Sequence, residues 1–248
     1  RPIMLVNGLL LATLGVAMLL PAIVDLMANN DDWQVFASSS LLTVLIGGGL
    51  YAGARGTVKN MSTRQAFVMV TLAWILLPLF GAMPYLWSGM VPTFTDAMFE
   101  SMSGITTTGS TVITGLDKAP PGILFWRGLQ QWLGGLGIIV MAVAVLPMLQ
   151  IGGMQLFKIE AFDTAEKIMP RATQISGSLT LMFIFITFLC ALAYLAVGMK
   201  IDDAVIHAMT TVATGGFSTK DQSLAYFDSY SVDAVASVFM VAGSIPFI

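Results

Sequence analysis

Hydrophobic residues in this chain fall in long unbroken runs, not in the spaced stripes of a helix lying on a soluble core. Six runs approach or pass the ~20 residues that a helix needs to cross the hydrocarbon layer of a bilayer. They are Ile3–Leu26, Phe36–Ala54, Phe67–Trp87, Leu124–Leu149, Leu179–Val197 and a last run from Val232 to Ile248. Two shorter helical stretches stand among them, Thr95–Gly104 and Asp202–Val212, each followed by a segment rich in Thr and Gly, Ile105–Gly115 and Ala213–Thr219. The pattern predicts an all-α polytopic membrane protein. The first run is too long for the apolar core of a signal peptide and carries no clear small-residue cleavage site. The chain begins at Arg1 without a Met and ends inside an apolar run, so a truncated chain is the expectation.

Composition agrees with this reading. Hydrophobic residues make up 56% of the chain and charged residues 10%, against roughly 25% charged in an average soluble domain; too few charges remain to cover a soluble surface. The placement of the charges matters more than the net value of −3. Arg55, Lys59 and Arg64, then Lys158, Lys167 and Arg171, cluster in two connections, while Asp25, Asp31, Asp32, Asp202, Asp203, Asp221 and Asp228 mark the others. Basic connections stay in the cytoplasm, which places segments 55–64 and 158–171 inside and the acidic loops outside. The single cysteine, Cys190, lies within an apolar run and reads as a buried, inert thiol.

The organising feature is an internal repeat. A shift of 107 positions lays Asp96–Thr111 on Asp203–Ser218 without a gap: Asp96-Ala97, Met102, Thr107 and Gly109 are matched identically, and five further pairs are close, among them Ser103/Thr210 and Thr111/Ser218. Each unit reads long helix, short helix, Thr/Gly loop, long helix. A helix of ~10 residues cannot span a bilayer, so it must re-enter, and the irregular backbone after it must line a watery cavity or lie buried in protein. Thr106-Thr107-Thr108-Gly109-Ser110-Thr111 and Ala213-Thr214-Gly215-Gly216-Phe217-Ser218 are mostly small, hydroxylated or conformationally free, and glycine permits the φ > 0 geometry that turns successive carbonyls the same way. Rings of carbonyl oxygens can replace the hydration shell of a monovalent cation. Asp96, Asp202 and Asp203 lie in the first turns of the short helices, and the partly negative helix C-termini face the loops; an anion site would present helix N-termini instead. The candidate ion-binding carbonyls are those of Thr107, Thr108, Gly109 and Ser110, with Thr214, Gly215, Gly216 and Phe217 as their partners; the side chains of Ser110 and Phe217 are expected to brace the loops from behind.

The two loops resemble degenerate versions of the potassium-channel filter. The run Phe125-Trp126-Arg127-Gly128-Leu129-Gln130-Gln131-Trp132-Leu133-Gly134-Gly135-Leu136-Gly137-Ile138 is similar to the second helix of repeat one in Trk potassium transporters, as are Gly152-Gly153-Met154-Gln155-Leu156-Phe157 and the later Pro170-Arg171. The resemblance covers nearly the whole chain, including the two extra first helices, and points to the bacterial TrkH branch of the Trk/Ktr/HKT superfamily. It implies two helix–pore-loop–helix repeats preceded by two transmembrane helices. The expected divisions are 1–60 for the first two helices, 61–150 for the first repeat, 151–172 for a cytoplasmic connector and 173–248 for the second repeat. It further implies potassium uptake across the bacterial cytoplasmic membrane through a carbonyl-lined filter, with K⁺ as the transported ion and no organic cofactor. Members carry four repeats around one pore, so this chain would supply half, the rest lying outside it or coming from a second copy. Within the family, serine in place of the first filter glycine accompanies sodium passage; glycine at 109 and 216 favours potassium. Expected partners are membrane lipid, a second copy in a homodimer, and a cytosolic nucleotide-binding regulatory subunit of the TrkA type; no nucleic acid is expected.

Arg127 reads either as a residue steering ions or as a brace to loop carbonyls or Glu100, the brace being favoured. Glu100 and His207 occupy matching positions on the two short helices, His207 as a packing and hydrogen-bonding residue. Gly47, Gly48, Gly49 and Gly53, and Gly134, Gly135 and Gly137, suggest close helix packing. Segment 150–171 mixes Phe157, Ile159 and Phe162 with charges and reads as an interfacial stretch. An intramembrane enzyme finds no support in a chain with one histidine and no convincing nucleophile motif. A non-conducting scaffold leaves the repeated loops unexplained. A less selective K⁺/Na⁺ pathway and an H⁺-coupled symport both stay open at this stage.

Overall fold

The computed structural model describes residues 1–56, 62–144 and 168–245. These residues form helices α1 (Pro2–Ala17), α2 (Leu19–Met27), α3 (Trp33–Gly53), α4 (Thr63–Gly81), α5 (Met83–Trp87), α6 (Phe94–Ile105), α7 (Pro121–Ala144), α8 (Ile168–Ala196), α9 (Ile201–Val212) and α10 (Tyr230–Ser244), with short 3₁₀ turns at Leu116–Lys118 and Ser223–Phe227 and no strand among the described residues. Among the described residues, four stretches are long and apolar enough to cross a membrane: Pro2–Met27, Trp33–Gly53, Arg64–Trp87 and Gly177–Ala196. Helix α7 has 24 residues, about 36 Å at 1.5 Å per residue, but its first half carries Arg127, Gln130 and Gln131. Helix α10 is shorter, with 15 residues.

The first and third apolar runs, read from the sequence as single helices, are each interrupted. Prolines are the reason. Pro21 has no N–H and its ring crowds the carbonyl four residues back, Ala17, and α1 gives way to α2 at Met18. Pro84 opens α5 in the same way after Ala82. Helix α4 begins with a capping box, in which Ser62 Oγ accepts the Gln65 N–H and Gln65 Oε1 accepts the Ser62 N–H. The fifth run also differs from expectation: α8 begins at Ile168, inside the predicted connector, and admits Pro170 in its first turn, where the missing N–H costs little. Lys59, Lys158, Lys167, the Gly152–Phe157 motif, most of the interfacial segment and residues 246–248 lie outside the described residues.

The N-terminal hairpin packs α1 on α3 through small residues. A Cβ on Gly8 would lie 2.6 Å from the Tyr51 nitrogen, and one on Gly47 2.5 Å from the Ala12 nitrogen, while Ser40 Oγ donates to the Gly15 carbonyl at 2.7 Å. Close backbone approach replaces the hydrophobic effect, which is weak between helices in lipid. Of the four glycines expected to pack on α3, only Gly47 does. Gly48, Gly49, Gly53 and Gly137 meet nothing within 4 Å, whereas Gly134 and Gly135 pack as expected. The fully buried Asp25 of α2 accepts the Gly122 N–H at 2.7 Å, tying the hairpin to the first turn of α7, where a carboxylate meets the positive end of the helix dipole. Two cores result. One gathers Leu11, Phe36, Tyr85, Trp126 and Ile206, the other Phe183, Cys190, Tyr194, Val212 and Val232. Cys190 is buried and unbonded to another cysteine, as expected.

Candidate functional site

Both short helices end in the same way. The amides of Thr106, Thr107 and Thr108 donate to the carbonyls of Met102, Gly104 and Ser103; those of Ala213, Thr214 and Gly215 donate to Met209, Thr211 and Thr210. Every donor and acceptor in the second set is the first shifted by 107 positions. The 6→1 and 5→2 bonds define a Schellman motif, whose left-handed residue is usually glycine. Here it is threonine in both loops, with φ 55° at Thr107 and 53° at Thr214. A β-branched residue in that region is a rare outlier that costs about 1–2 kcal/mol, and such strain concentrates at functional sites. Two residues on, Gly109 (φ 80°) and Gly216 (φ 83°) again match. The sequence pointed to the glycines; it gave no sign that Thr107 and Thr214 take positive φ.

The loops touch. A Cβ on Gly109 would stand 1.9 Å from the Gly215 carbonyl oxygen, so only glycine allows this approach. Thr107 and Gly109 are half-buried, Thr108 and Ser110 exposed; Gly215 and Phe217 are buried, Thr214 and Gly216 exposed. The bracing expectation divides accordingly. The Phe217 ring is buried beneath the Arg127 guanidinium, 4.2 Å from its centre, and its N–H donates to Gln131 Oε1 at 3.0 Å. Ser110 is exposed, and its loop is held one residue later, at Thr111.

That hold comes from Glu100, on α6. Its carboxylate accepts the Thr111 hydroxyl (2.9 and 3.0 Å), the Val112 N–H (3.0 Å) and Arg127 Nε (2.8 Å). Arg127 extends the contact across to the second loop: one terminal nitrogen donates to the Ser218 carbonyl at 2.7 Å, the other to Thr111 Oγ1 at 3.0 Å. Both charged side chains are almost wholly buried, with exposures of 1% and 0%. The brace reading of Arg127 therefore holds; its charge is spent on Glu100 and on main-chain oxygen. In the second unit His207 stands where Glu100 does in the first. Its Nδ1 meets the Asp203 carbonyl at 2.7 Å and its Nε2 the Ser218 hydroxyl at 2.9 Å. A carbonyl can only accept, so Nδ1 carries a proton; where the ring is neutral, Nε2 accepts from the Ser218 hydroxyl. Thr111 and Ser218 are themselves matched positions, so one contact is made twice with different chemistry.

Other polar groups fix the helices behind the loops. Thr93 caps α6, accepting the Asp96 N–H at 3.1 Å and donating to its carboxylate at 2.7 Å. Asp203 accepts the Thr219 hydroxyl and lies 3.9 Å from Lys220 Nζ. Gln130 accepts the Tyr85 hydroxyl at 2.6 Å and donates to Ser101 at 2.9 Å. Asp221, after the second loop, accepts the amides of Gly115 and Leu116, both at 3.0 Å, after the first. Gly134 and Gly243 let α7 and α10 lie on the last carbonyls of the short helices: a Cβ would stand 2.1 Å from the Ile105 oxygen and 2.3 Å from the Val212 oxygen. These two glycines are 109 positions apart, two more than the loops; the intervening insertion hides their correspondence in an ungapped comparison. By that spacing Ala236 answers to Arg127 and Met240 to Gln131. A cavity of about 140 Å³ opens beside the second loop, lined by Thr210, Thr214, Gly216 and Met240 among others.

The family model of TrkH, described as a cation transport protein, matches residues 32–248. The chain is 42% identical over 250 residues to the Trk system potassium uptake protein TrkH of Halomonas elongata, covering all of this chain and 52% of that protein, and 39% identical to TrkH of Escherichia coli K12, covering 97% and 50%. The crystal structure of the potassium transporter TrkH from Vibrio parahaemolyticus superposes with a TM-score of 0.88 at 38% identity, over 99% of this chain and 50% of that one. The chain belongs to the TrkH family, as its sequence motifs implied, and is a multi-pass membrane protein. It spans about half the length of the curated relatives it matches.

Proposed function

We propose that this chain supplies two of the re-entrant loops of a potassium-conducting pore, and that residues 62–144 and 168–245 are successive helix–pore-loop–helix units behind the α1–α3 hairpin. The observation that carries the reading is the pairing of the loops. Two segments 107 positions apart share one hydrogen-bond set and two matching left-handed conformations, and they meet at Gly109 and Gly215. Strained main chain held in register by buried side chains suits the display of carbonyl oxygens to a dehydrated monovalent cation. The proposed ion-facing groups are the carbonyls of Thr107, Thr108, Gly109 and Ser110 and of Thr214, Gly215, Gly216 and Phe217. The relatives named as potassium uptake proteins favour K⁺ as the cargo, and glycine at both 109 and 216 supports potassium over sodium.

Two loops do not enclose an axis, and the cavity beside Gly216 and Met240 leaves one edge of the second loop open. Further units close the ring, from the remainder of a longer protein. The bacterial cytoplasmic membrane is the proposed location. A second copy and a cytosolic nucleotide-binding subunit are the proposed partners, in keeping with relatives named as parts of a Trk system. The reading is tested by potassium uptake in potassium-auxotrophic cells producing the full-length protein. Uptake is expected with the native loops, with K⁺/Na⁺ discrimination lost on Gly109→Ser. K⁺/Na⁺ discrimination left unchanged by Gly109→Ser and by Gly216→Ser alike would overturn it.

A further inference from the structure

We propose that Arg127 is a positioning residue for cation discrimination: together with Glu100 it locks the outer ends of the two loops to each other, so that selectivity depends on a buried ion pair that never touches the ion. The proposal rests on the pore reading above. Its grounds are geometric. Arg127 lies in the second turn of α7, fully buried beside Gln130 and Gln131, and a buried charge is costly unless its donors are matched. Its donors reach a carboxylate of α6 (2.8 Å), a hydroxyl of the first loop (3.0 Å) and a main-chain carbonyl of the second (2.7 Å), while the face of the guanidinium lies over Phe217 of the second loop.

Four contacts to three separate segments from one rigid planar group fix distances between those segments, because the guanidinium fork cannot stretch. A lysine would keep the charge beside Glu100 but would lose the fork. The hydrogen bonds fall at Thr111 and Ser218, immediately after the proposed carbonyls of Gly109–Ser110 and Gly216–Phe217, and the guanidinium stacks on the Phe217 side chain. A sub-ångström change of register there alters the size of the carbonyl cage between the loops.

The second unit supplies an internal contrast. His207 replaces Glu100, and Ala236, buried at 3% exposure, stands where the spacing of Gly134 and Gly243 would put an arginine. The α10 helix therefore offers no equivalent fork to whatever borders the second loop. Among the described residues the clamp joins the first loop to the second, and no matching arginine stands on α10.

The test uses the full-length protein in proteoliposomes, with K⁺ and Na⁺ flux measured separately on native protein and on Arg127→Lys, Thr111→Val and Gly109→Ser. Thr111→Val removes the hydroxyl through which Arg127 reaches the first loop, without stranding a charge, and keeps the experiment decisive should Arg127→Lys fail to fold. The K⁺/Na⁺ flux ratio is expected to fall by about tenfold with either Arg127→Lys or Thr111→Val, the equivalent of one lost charge-assisted hydrogen bond. In the same preparations the half-saturating K⁺ concentration should rise more than maximal flux falls. A structural role alone would lower the amount of folded protein and leave the ratio intact. An unaltered ratio in Thr111→Val, or in folded Arg127→Lys, with a ratio lost in Gly109→Ser, overturns the clamp and spares the pore reading. An unaltered ratio in all three overturns both.

Discussion

The two helix–loop–helix units fold the same main chain around different side chains. Helix ends, Schellman bonds, left-handed threonines and glycines correspond residue for residue, yet Glu100 answers to His207, Arg127 to Ala236 and Gln131 to Met240. The first unit is held by a buried ion pair that reaches into its neighbour. In the second unit the matching position is His207, which bonds only within its own unit, while Arg127 and Gln131 of the first unit hold the loop from outside. Backbone geometry is what the proposed chemistry needs from both; the means of holding it has diverged.

The largest expected effect separates those means. Glu100→Gln leaves the Arg127 guanidinium buried without a counter-charge, a loss of about 3–5 kcal/mol, whereas His207→Gln forfeits about 1 kcal/mol for a neutral hydrogen bond. Thermal unfolding of the full-length protein in detergent should show a much lower midpoint for the first. Equal midpoints would mean that the ion pair contributes no more than the histidine, and the contrast drawn above would fail.

A smaller pair of effects probes what the units share. Gly134→Ala and Gly243→Ala both drive a methyl group into a helix-end carbonyl, and each should cost about 1–3 kcal/mol as overpacking. Gly137→Ala, on the same helix with nothing within 4 Å, should instead gain up to about 1 kcal/mol from helix propensity. Unfolding midpoints that drop for only one of the two glycines would break the correspondence between α7 and α10.

The most discriminating comparison is the pair Gly109→Ala and Gly216→Ala. Both residues have φ near 80°, so both substitutions bear about 1–2 kcal/mol of left-handed strain. Only Gly109 also faces a carbonyl here; Gly216 meets nothing within 4 Å. In the full-length protein the two variants should be destabilised alike, because a third unit would press on Gly216 as the second presses on Gly109. A milder Gly216→Ala would show that edge left open.

How much of this was legible in the residues follows from which interactions are local. Apolar runs longer than a bilayer is thick identified the four membrane-length helices seen among the described residues, since lipid selects for composition over a fixed length. The ungapped alignment of Asp96–Thr111 on Asp203–Ser218 located both loops, and the run around Arg127 identified the family. Helix breaks at Met18 and Ala82 were missed although Pro21 and Pro84 stood in view, because a proline in a membrane helix is often absorbed without a break. The glycines were over-read: of Gly47, Gly48, Gly49 and Gly53, only Gly47 faces a neighbour, and which side of a helix finds a partner is not written in its own residues.

Sequence alone determined the class of protein, the pairing of its loops and the residue types able to line a cation path, since hydropathy, repetition and glycine's conformational freedom act within a few positions of each residue. Tertiary structure decided that Thr107 and Thr214 carry the strain, that Ser110 is an exposed surface residue while Phe217 is clamped, and that Arg127 joins loops whose anchors lie 107 residues apart. Those outcomes depend on which groups meet across the fold, and an ion pair hidden from water forms only where packing has already brought its partners within reach.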